Sequence, residues 1–237
     1  MLTLLLIGIL TLKSNIQSVE ASGTIYIRAD GSVEPPGAPI LNVGNTSYTF
    51  IDNIHDSIVV ERDNIIIDGA GYSVQGTGAY FSIGIYLSER RNVTVKNVEI
   101  EAFYYGIWLY GSSNNSVVGN SITANNMDGI FCKYSNYNNI VGNSIAANNM
   151  DGIYLHTSSN NNVAGNTITA NNWFGILLHE SSNNTLRNNS MTNNVYNFHV
   201  WGWSLSHFVN NVDASNTVDG KPVYYWINDG DRAVPLD

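Results

Sequence analysis

An all-β solenoid of stacked parallel strands is the fold class this sequence predicts, and three observations predict it. First, glycine recurs at 106, 129, 152 and 175 and asparagine at 92, 115, 138, 161 and 184, a step of 23 residues. A second asparagine column (Asn120, Asn143, Asn166, Asn189) and two apolar ones (Ile107, Ile130, Ile153, Ile176 and Val117, Ile140, Val163, Leu186) keep the same step. A period of this length marks a repeat array whose units bury their apolar faces only against one another. Second, runs such as Ile153 and Leu155 against Tyr154 and His156 alternate with a period of two, and no window shows the i, i+3, i+4 spacing of an amphipathic helix. Third, Asn and Gly break the chain every few residues, and both tolerate the left-handed backbone of sharp corners. Leucine-rich and ankyrin-like arrays lack support, since neither a leucine-spaced consensus nor a helix pair is present. Three short strands per turn, stacked about 4.8 Å apart, make a single-stranded parallel β-helix. Its hand is right, because parallel crossovers are nearly always right-handed.

Taken in order, residues 2–12 (LTLLLIGILTL) are an apolar run too short to span a bilayer. Val19-Glu20-Ala21 then offers the small residues a signal peptidase reads, so 1–21 is expected to be a signal peptide or N-terminal anchor. Residues 22–60 hold a strand and a Pro-Gly-rich stretch expected to cap the first turn, as terminal repeats are usually atypical. Residues 61–215 form the β-helix repeats. Within them NVTVKNVEI fits the later units at a spacing of 22, so a one-residue slip is expected near Ala102 to Tyr105. Residues 216–237 form a C-terminal segment that ends abruptly, which predicts an open strand edge prone to self-association, or a longer array.

The asparagine columns read as internal braces, amides hydrogen-bonded along the axis. Five tripeptides, at Asn45, Asn92, Asn114, Asn183 and Asn188, match the glycosylation pattern, but so Asn-rich a chain matches it by chance. The formal charge of −9 with ten Lys plus Arg argues against nucleic acid or an anionic membrane as partner. The single cysteine, Cys132, stands in a leucine column and is expected to point inward; it rules out a disulfide framework.

Departures from the repeat and outward polar columns carry the candidate chemistry. If Ile and Leu after each glycine face the core, then Trp108, Phe131, Tyr154 and Leu177 face solvent, as do Tyr110, Lys133, His156 and His179. The aromatic column suits stacking on sugar rings or mutual shielding of the sheet. With Lys133 it forms the ligand-binding candidate. His156 and His179, one period apart, stand near enough to hold one metal ion, with Glu180 or Thr157 completing the site. Asp128 and Asp151 form a stacked carboxylate pair that suits calcium, a retaining hydrolase, or capping of the corner they occupy. A lyase would want a calcium cluster with a cationic base, and Arg90, Arg91 and Arg187 have no such cluster nearby. His199, Trp201, Trp203 and His207 gather where the repeat breaks down and are expected to wall a terminal groove or plug the last turns.

The regular NNxxxGNxIxxNxxGIxL units resemble those of the carbohydrate-binding and sugar-hydrolase β-helix superfamily. More narrowly, IYIRADGSVEPP, DSIVVERDNIIIDGAGYSVQG and NTVDGKPVYYW resemble archaeal secreted proteins related to NosD, a periplasmic copper-associated maturation protein. The resemblance implies the fold and associates the chain with copper, but it maps no copper motif onto particular residues. The expected function is a secreted, cell-surface or periplasmic module that binds a polysaccharide or glycan without cleaving it. Two alternatives stay open: a polysaccharide-modifying enzyme, a glycoside hydrolase or lyase using Asp128 and Asp151, and a copper-binding maturation factor using His156 and His179. Copper and calcium are the cofactors in view.

Overall fold

The computed structural model describes residues 23–227, so the proposed signal segment 1–21 and the last ten residues of the C-terminal segment lie outside it. Strands of two to six residues wind into three sheets of nine, nine and eight strands, here sheets A, B and C. Each coil contributes one strand to each sheet in the order A, B, C. In the coil from Phe174 to Thr192, these are Phe174–His179, Thr185–Arg187 and Ser190–Thr192. Among the described residues one 3-10 turn, Leu205–Phe208, interrupts the strands, and no helix is long and apolar enough to cross a membrane.

Registry is the organising fact. Ile107 pairs with Ile130, Ile153 and Ile176 in turn on sheet A, and Val117 with Ile140, Val163 and Leu186 on sheet B. These side chains fill one continuous core between the sheets, with the Cys132 thiol among them and its pKa pushed up to about 12 by burial. The slip falls where the 22-residue spacing predicts it: Glu101 pairs with Thr123, yet Ile107 pairs with Ile130. It has a consequence for one member of the first asparagine column. Thr94 pairs with Ser116, so Val93, not Asn92, lies under Asn115. Asn92 instead occupies an exposed corner with a positive φ of 55°.

Three asparagine ladders and one serine ladder brace the coil. In each asparagine ladder, the amide oxygen of one asparagine accepts the backbone N–H and side-chain N–H of the asparagine one coil earlier, as Asn143 does for Asn120 and Asn166 for Asn143. The remaining N–H donates to a strand carbonyl, Asn143 to Val117. The third ladder, Asn125, Asn148, Asn171 and Asn194, repeats the amide pattern at another corner, whereas in the serine ladder, Ser112, Ser135, Ser158 and Ser181, a hydroxyl oxygen accepts the backbone N–H of the serine one coil earlier and its O–H donates to a strand carbonyl. All of these side chains are buried, where an unpaired amide would be costly, so each ladder satisfies polar groups that the corners leave over.

The corners repeat as strictly as the strands. Four left-handed positions recur in each coil, one of them held by Ala102, Ala124, Ala147 and Ala170 and another by Glu89, Gly111, Tyr134, Thr157 and Glu180. The glycine column has a different cause, since its φ values are ordinary. A Cβ on Gly152 would sit 2.7 Å from the carbonyl oxygen of Gly175 and 2.5 Å from Ile168 Cγ2, so only glycine admits this close approach of successive coils.

At the N-terminal end, Ile25–Ile27 extends sheet A through Ile58–Val60, and the hairpin Ile40–Val43 with Ser47–Phe50 edges sheet B. At the other end Lys221–Pro222 runs antiparallel to Thr217–Val218 and covers the edge of sheet C with a short proline-bearing strand, a usual way to blunt an edge. Sheet A ends, among the described residues, at Tyr196–Trp201.

Candidate functional site

The candidates converge on the outer face of sheet A. Its strands present three outward columns, all fixed by backbone pairing. The central one runs Tyr26, Val59, Tyr86, Trp108, Phe131, Tyr154, Leu177 and His199. Beside it on the C-terminal side run Ser88, Tyr110, Lys133, His156, His179 and Trp201. On the N-terminal side Asp128 and Asp151 each precede the glycine of their strand. All three groups of sequence candidates therefore share one face.

The aromatic rings touch one another in a continuous run. Tyr80 meets Tyr104 at 5.0 Å between centroids, Tyr104 meets Tyr105 at 5.1 Å, and Tyr105 stacks on Phe131 at 5.5 Å. Phe131 stacks on Tyr154 at 5.0 Å, Tyr154 on His156 at 5.6 Å, and His156 on His179 at 4.7 Å. Trp201 meets His179 edge-on at 4.2 Å and Trp203 at 4.6 Å. Within this run Phe131 departs from expectation: it points away from the core yet is only 7% exposed, because Tyr105 and Tyr154 cover both faces of its ring and Trp108 lies 5.4 Å away. Trp108, Tyr154, Lys133, His156 and His179 stay half-buried, while Trp203 is 78% exposed. The indole N–H of Trp108 is buried with no acceptor.

Tyr154 hydroxyl and His179 Nδ1 share a hydrogen bond of 2.8 Å. Partial burial pushes the Tyr154 phenol upward, and the carboxylates of Asp128, Asp151 and Glu180 add to the rise. Burial lowers the pKa of His156, helped by neighbouring His179 and Lys133, and burial likewise lowers that of His179 against the pull of Glu180. Both shifts favour the neutral imidazole, the form that carries a lone pair for a hydrogen bond or a metal ion.

Asp128 and Asp151 are both nearly inaccessible. Neither caps its own turn: Asp128 Oδ1 accepts the backbone N–H of Asp151 at 3.0 Å, and Asp151 Oδ1 accepts that of Phe174 at 2.9 Å. They continue the axial bracing with carboxylates in place of amides. Burial raises Asp128 well above the ordinary carboxylate range, reinforced by Asp151, and raises Asp151 to about 6. Ladder bonding absorbs the two acids as braces; the Asn125 ladder next to them and the Ser112 ladder at the other end of the sheet A strands are missing from the sequence reading, although each has the same 23-residue step that exposed the other columns.

His207 and Trp203 sit together beyond the last strand, where the Trp203 N–H donates to His207 Nδ1 at 3.2 Å. His199 lies on the central column.

A family model described as a right-handed β-helix region matches residues 42–213. No curated protein matches the chain. Among solved structures, the Azotobacter vinelandii mannuronan C-5 epimerase AlgE6 A-module is similar at TM-score 0.60 and 16% identity, over 73% of this chain and 51% of the other. The AlgE4 A-module of the same organism aligns at TM-score 0.56 and 10% identity, over 70% and 54%. The periplasmic alginate epimerase AlgG aligns at 0.53 and 18%, over 68% and 46%. This chain thus spans about half the length of the structures it matches, and identities this low show a shared fold alone.

Proposed function

The chain belongs to the right-handed β-helix family, and from that premise we propose that it binds glycan chains along the outer face of sheet A without cleaving them. The observation that supports this most is the unbroken run of rings from Tyr80 to Trp203, carried by successive coils at the spacing of hydrogen-bonded strands, about 4.8 Å. Phe131 is covered by its neighbours, but Trp108, Tyr154 and Trp203 stay accessible along this rigid strip, which suits an extended polymer of pyranose rings whose C–H faces pack on aromatic surfaces. The unpaired Trp108 indole N–H adds a donor that a sugar hydroxyl satisfies once the neighbouring rings part. The similar solved structures are named as an alginate epimerase and two mannuronan epimerases, whose polysaccharide substrates agree with a glycan partner. A formal charge of −9 favours neutral glycans over polyanions. Cleavage is disfavoured because Asp128 and Asp151, the candidate carboxylate pair on this face, are buried and hold backbone N–H groups. A place outside the cytoplasm, and kinship with NosD-related secreted proteins through the IYIRADGSVEPP and NTVDGKPVYYW segments, belong to the same proposal.

The test is a glycan panel followed by calorimetry on Trp108→Ala and Tyr154→Ala. Each is expected to weaken binding at least tenfold, while Ser144→Ala on sheet C leaves it unchanged. A wild-type chain that binds no glycan, or variants that bind like wild type, overturns the reading.

A further inference from the structure

The geometry points to a transition-metal site formed by His156, His179 and Glu180 at the C-terminal side of the same sheet. Its ligand would be a borderline divalent ion of the zinc, copper, nickel and cobalt class.

The two imidazoles are brought together by backbone pairing and not by chance of side-chain conformation, since His156 lies opposite His179 on adjacent parallel strands. Their rings stack at 4.7 Å between centroids and 23° between planes. Donor atoms of His156, His179 and Glu180 all lie within 4.8 Å of one another. Ligands around a tetrahedral zinc ion, at bond lengths of about 2.0–2.2 Å, sit roughly 3.4 Å apart. Closing that gap takes up to about 1.4 Å of side-chain movement, with the two stacked rings turning so that their in-plane lone pairs converge on one ion.

Supporting contacts fix the ligands. Tyr154 hydroxyl bonds His179 at Nδ1, 2.8 Å away, which leaves Nε2 as the free donor when Nδ1 carries the proton. A second partner on the far nitrogen is the usual way a metal-binding histidine is oriented. The His156 ring lies between Tyr154 and Tyr134, at 5.6 Å and 6.2 Å, and Trp201 abuts His179 edge-on.

Among the described residues these donors meet only where the last of these coils lies on the one before it. At the corner that Glu180 occupies, with φ of 52°, earlier coils carry Glu89, Gly111, Tyr134 and Thr157; at the histidine position they carry Ser88, Tyr110 and Lys133, so Glu89 has no imidazole beside it. Two imidazoles and one carboxylate favour borderline ions over calcium or magnesium, which take mostly oxygen ligands. Three protein ligands leave a fourth position to water. The half-burial of all three residues gives the ion a route in.

The proposal does not rest on glycan binding, and one variant separates the two. Full-length, metal-free, untagged chain would be titrated with Zn(II) by calorimetry and with Co(II) by visible absorption. One ion per chain is expected, with the d–d bands of a four- or five-coordinate cobalt site. His156→Ala and His179→Ala should each lower affinity a hundredfold or more without changing the circular dichroism spectrum, and His199→Ala should leave it unchanged. Tyr154→Phe keeps the ring but deletes the hydroxyl, so it should weaken the metal about tenfold, and Glu180→Gln, which lies outside the strip of rings, should weaken the metal at least tenfold while preserving glycan binding. A wild-type chain that takes up neither ion, or His156→Ala and His179→Ala chains that bind as tightly as wild type, overturns the site.

Discussion

Sheet A and sheets B and C share a backbone and differ in what they turn outward. On sheet B the outward positions from Thr94 to Arg187 are Thr94, Lys96, Ser116, Val118, Asn139, Val141, Asn162, Ala164, Thr185 and Arg187; on sheet C they are mostly Ser, Thr and Ala. Neither carries an aromatic ring over those coils. Sheet A carries tyrosine, tryptophan, phenylalanine and both clustered imidazoles. Because ladders and core columns brace the coils from inside, the outer faces are free to vary, and among the described residues only that of sheet A carries a run of rings with clustered imidazoles. Stability and recognition should therefore separate by side of the strand, and substitutions can break or sharpen that division.

The sharpest break comes from inside. Asn143→Leu leaves the backbone N–H and one side-chain N–H of Asn120 without partners in a buried setting and removes the Asn143 donor from the carbonyl of Val117. At about 1–3 kcal/mol for each buried unpaired group, the expected cost is about 4 kcal/mol or more. Ser144→Ala, the next residue but outward on sheet C, should cost less than about 0.5 kcal/mol. Urea unfolding of both variants checks this; equal destabilisation would remove the distinction between the two sides.

Asp151 is a buried acid in the axial bracing on the outer side of sheet A, and its effect on stability depends on pH. Its pKa rises from the ordinary 3.8 to about 6 on folding, so the folded chain holds more protons than the unfolded one between those values, and its contribution to stability falls as pH rises through that window. Above pH 6 the penalty is complete, on the order of 3 kcal/mol as an upper bound. Asp151→Asn keeps an oxygen to accept the Phe174 N–H. It should be more stable than wild type by about 1–3 kcal/mol at pH 7.5, with the advantage gone below pH 4. Thermal melts of both chains across this range test it, and an advantage that does not change with pH would show that Asp151 is not the cause.

The inner half of this architecture was legible in the sequence and the outer half only partly so. Columns such as Ile107 to Ile176 and Asn120 to Asn189 repeat because each position meets the same neighbours in every coil, so identity of environment produces identity of residue. The same logic misplaced Asn92, whose 23-residue distance from Asn115 ignores a slip that only strand pairing locates. The alternation that turned Trp108 and Tyr154 outward also turned Phe131 outward, correctly in direction. Its burial depends on rings from Tyr105 and Trp108, contacts that a period of two does not encode. Likewise the sequence placed Asp128 and Asp151 one above the other, but whether a carboxylate serves its own turn or the coil above is a matter of hydrogen-bond direction.

The smallest expected effect refines the outer face itself. Lys133 pairs in register with His156, and its ammonium lies over the Tyr134 ring at 5.4 Å. A positive charge one coil from the proposed ion opposes a dication through partly exposed, high-dielectric surroundings, where such pairs are worth about 1 kcal/mol or less. Lys133→Met preserves the length of the side chain and removes the charge. It should tighten Zn(II) binding about two- to fivefold at low salt, with the gain shrinking toward nothing at high salt as screening shortens the reach of the ammonium. Calorimetry at two ionic strengths measures both. A gain that persists at high salt would mean that Lys133 acts by packing and not by charge; weaker binding would make Lys133 part of the supporting structure of the imidazole pair, because its alkyl stem would then be holding His156 in place.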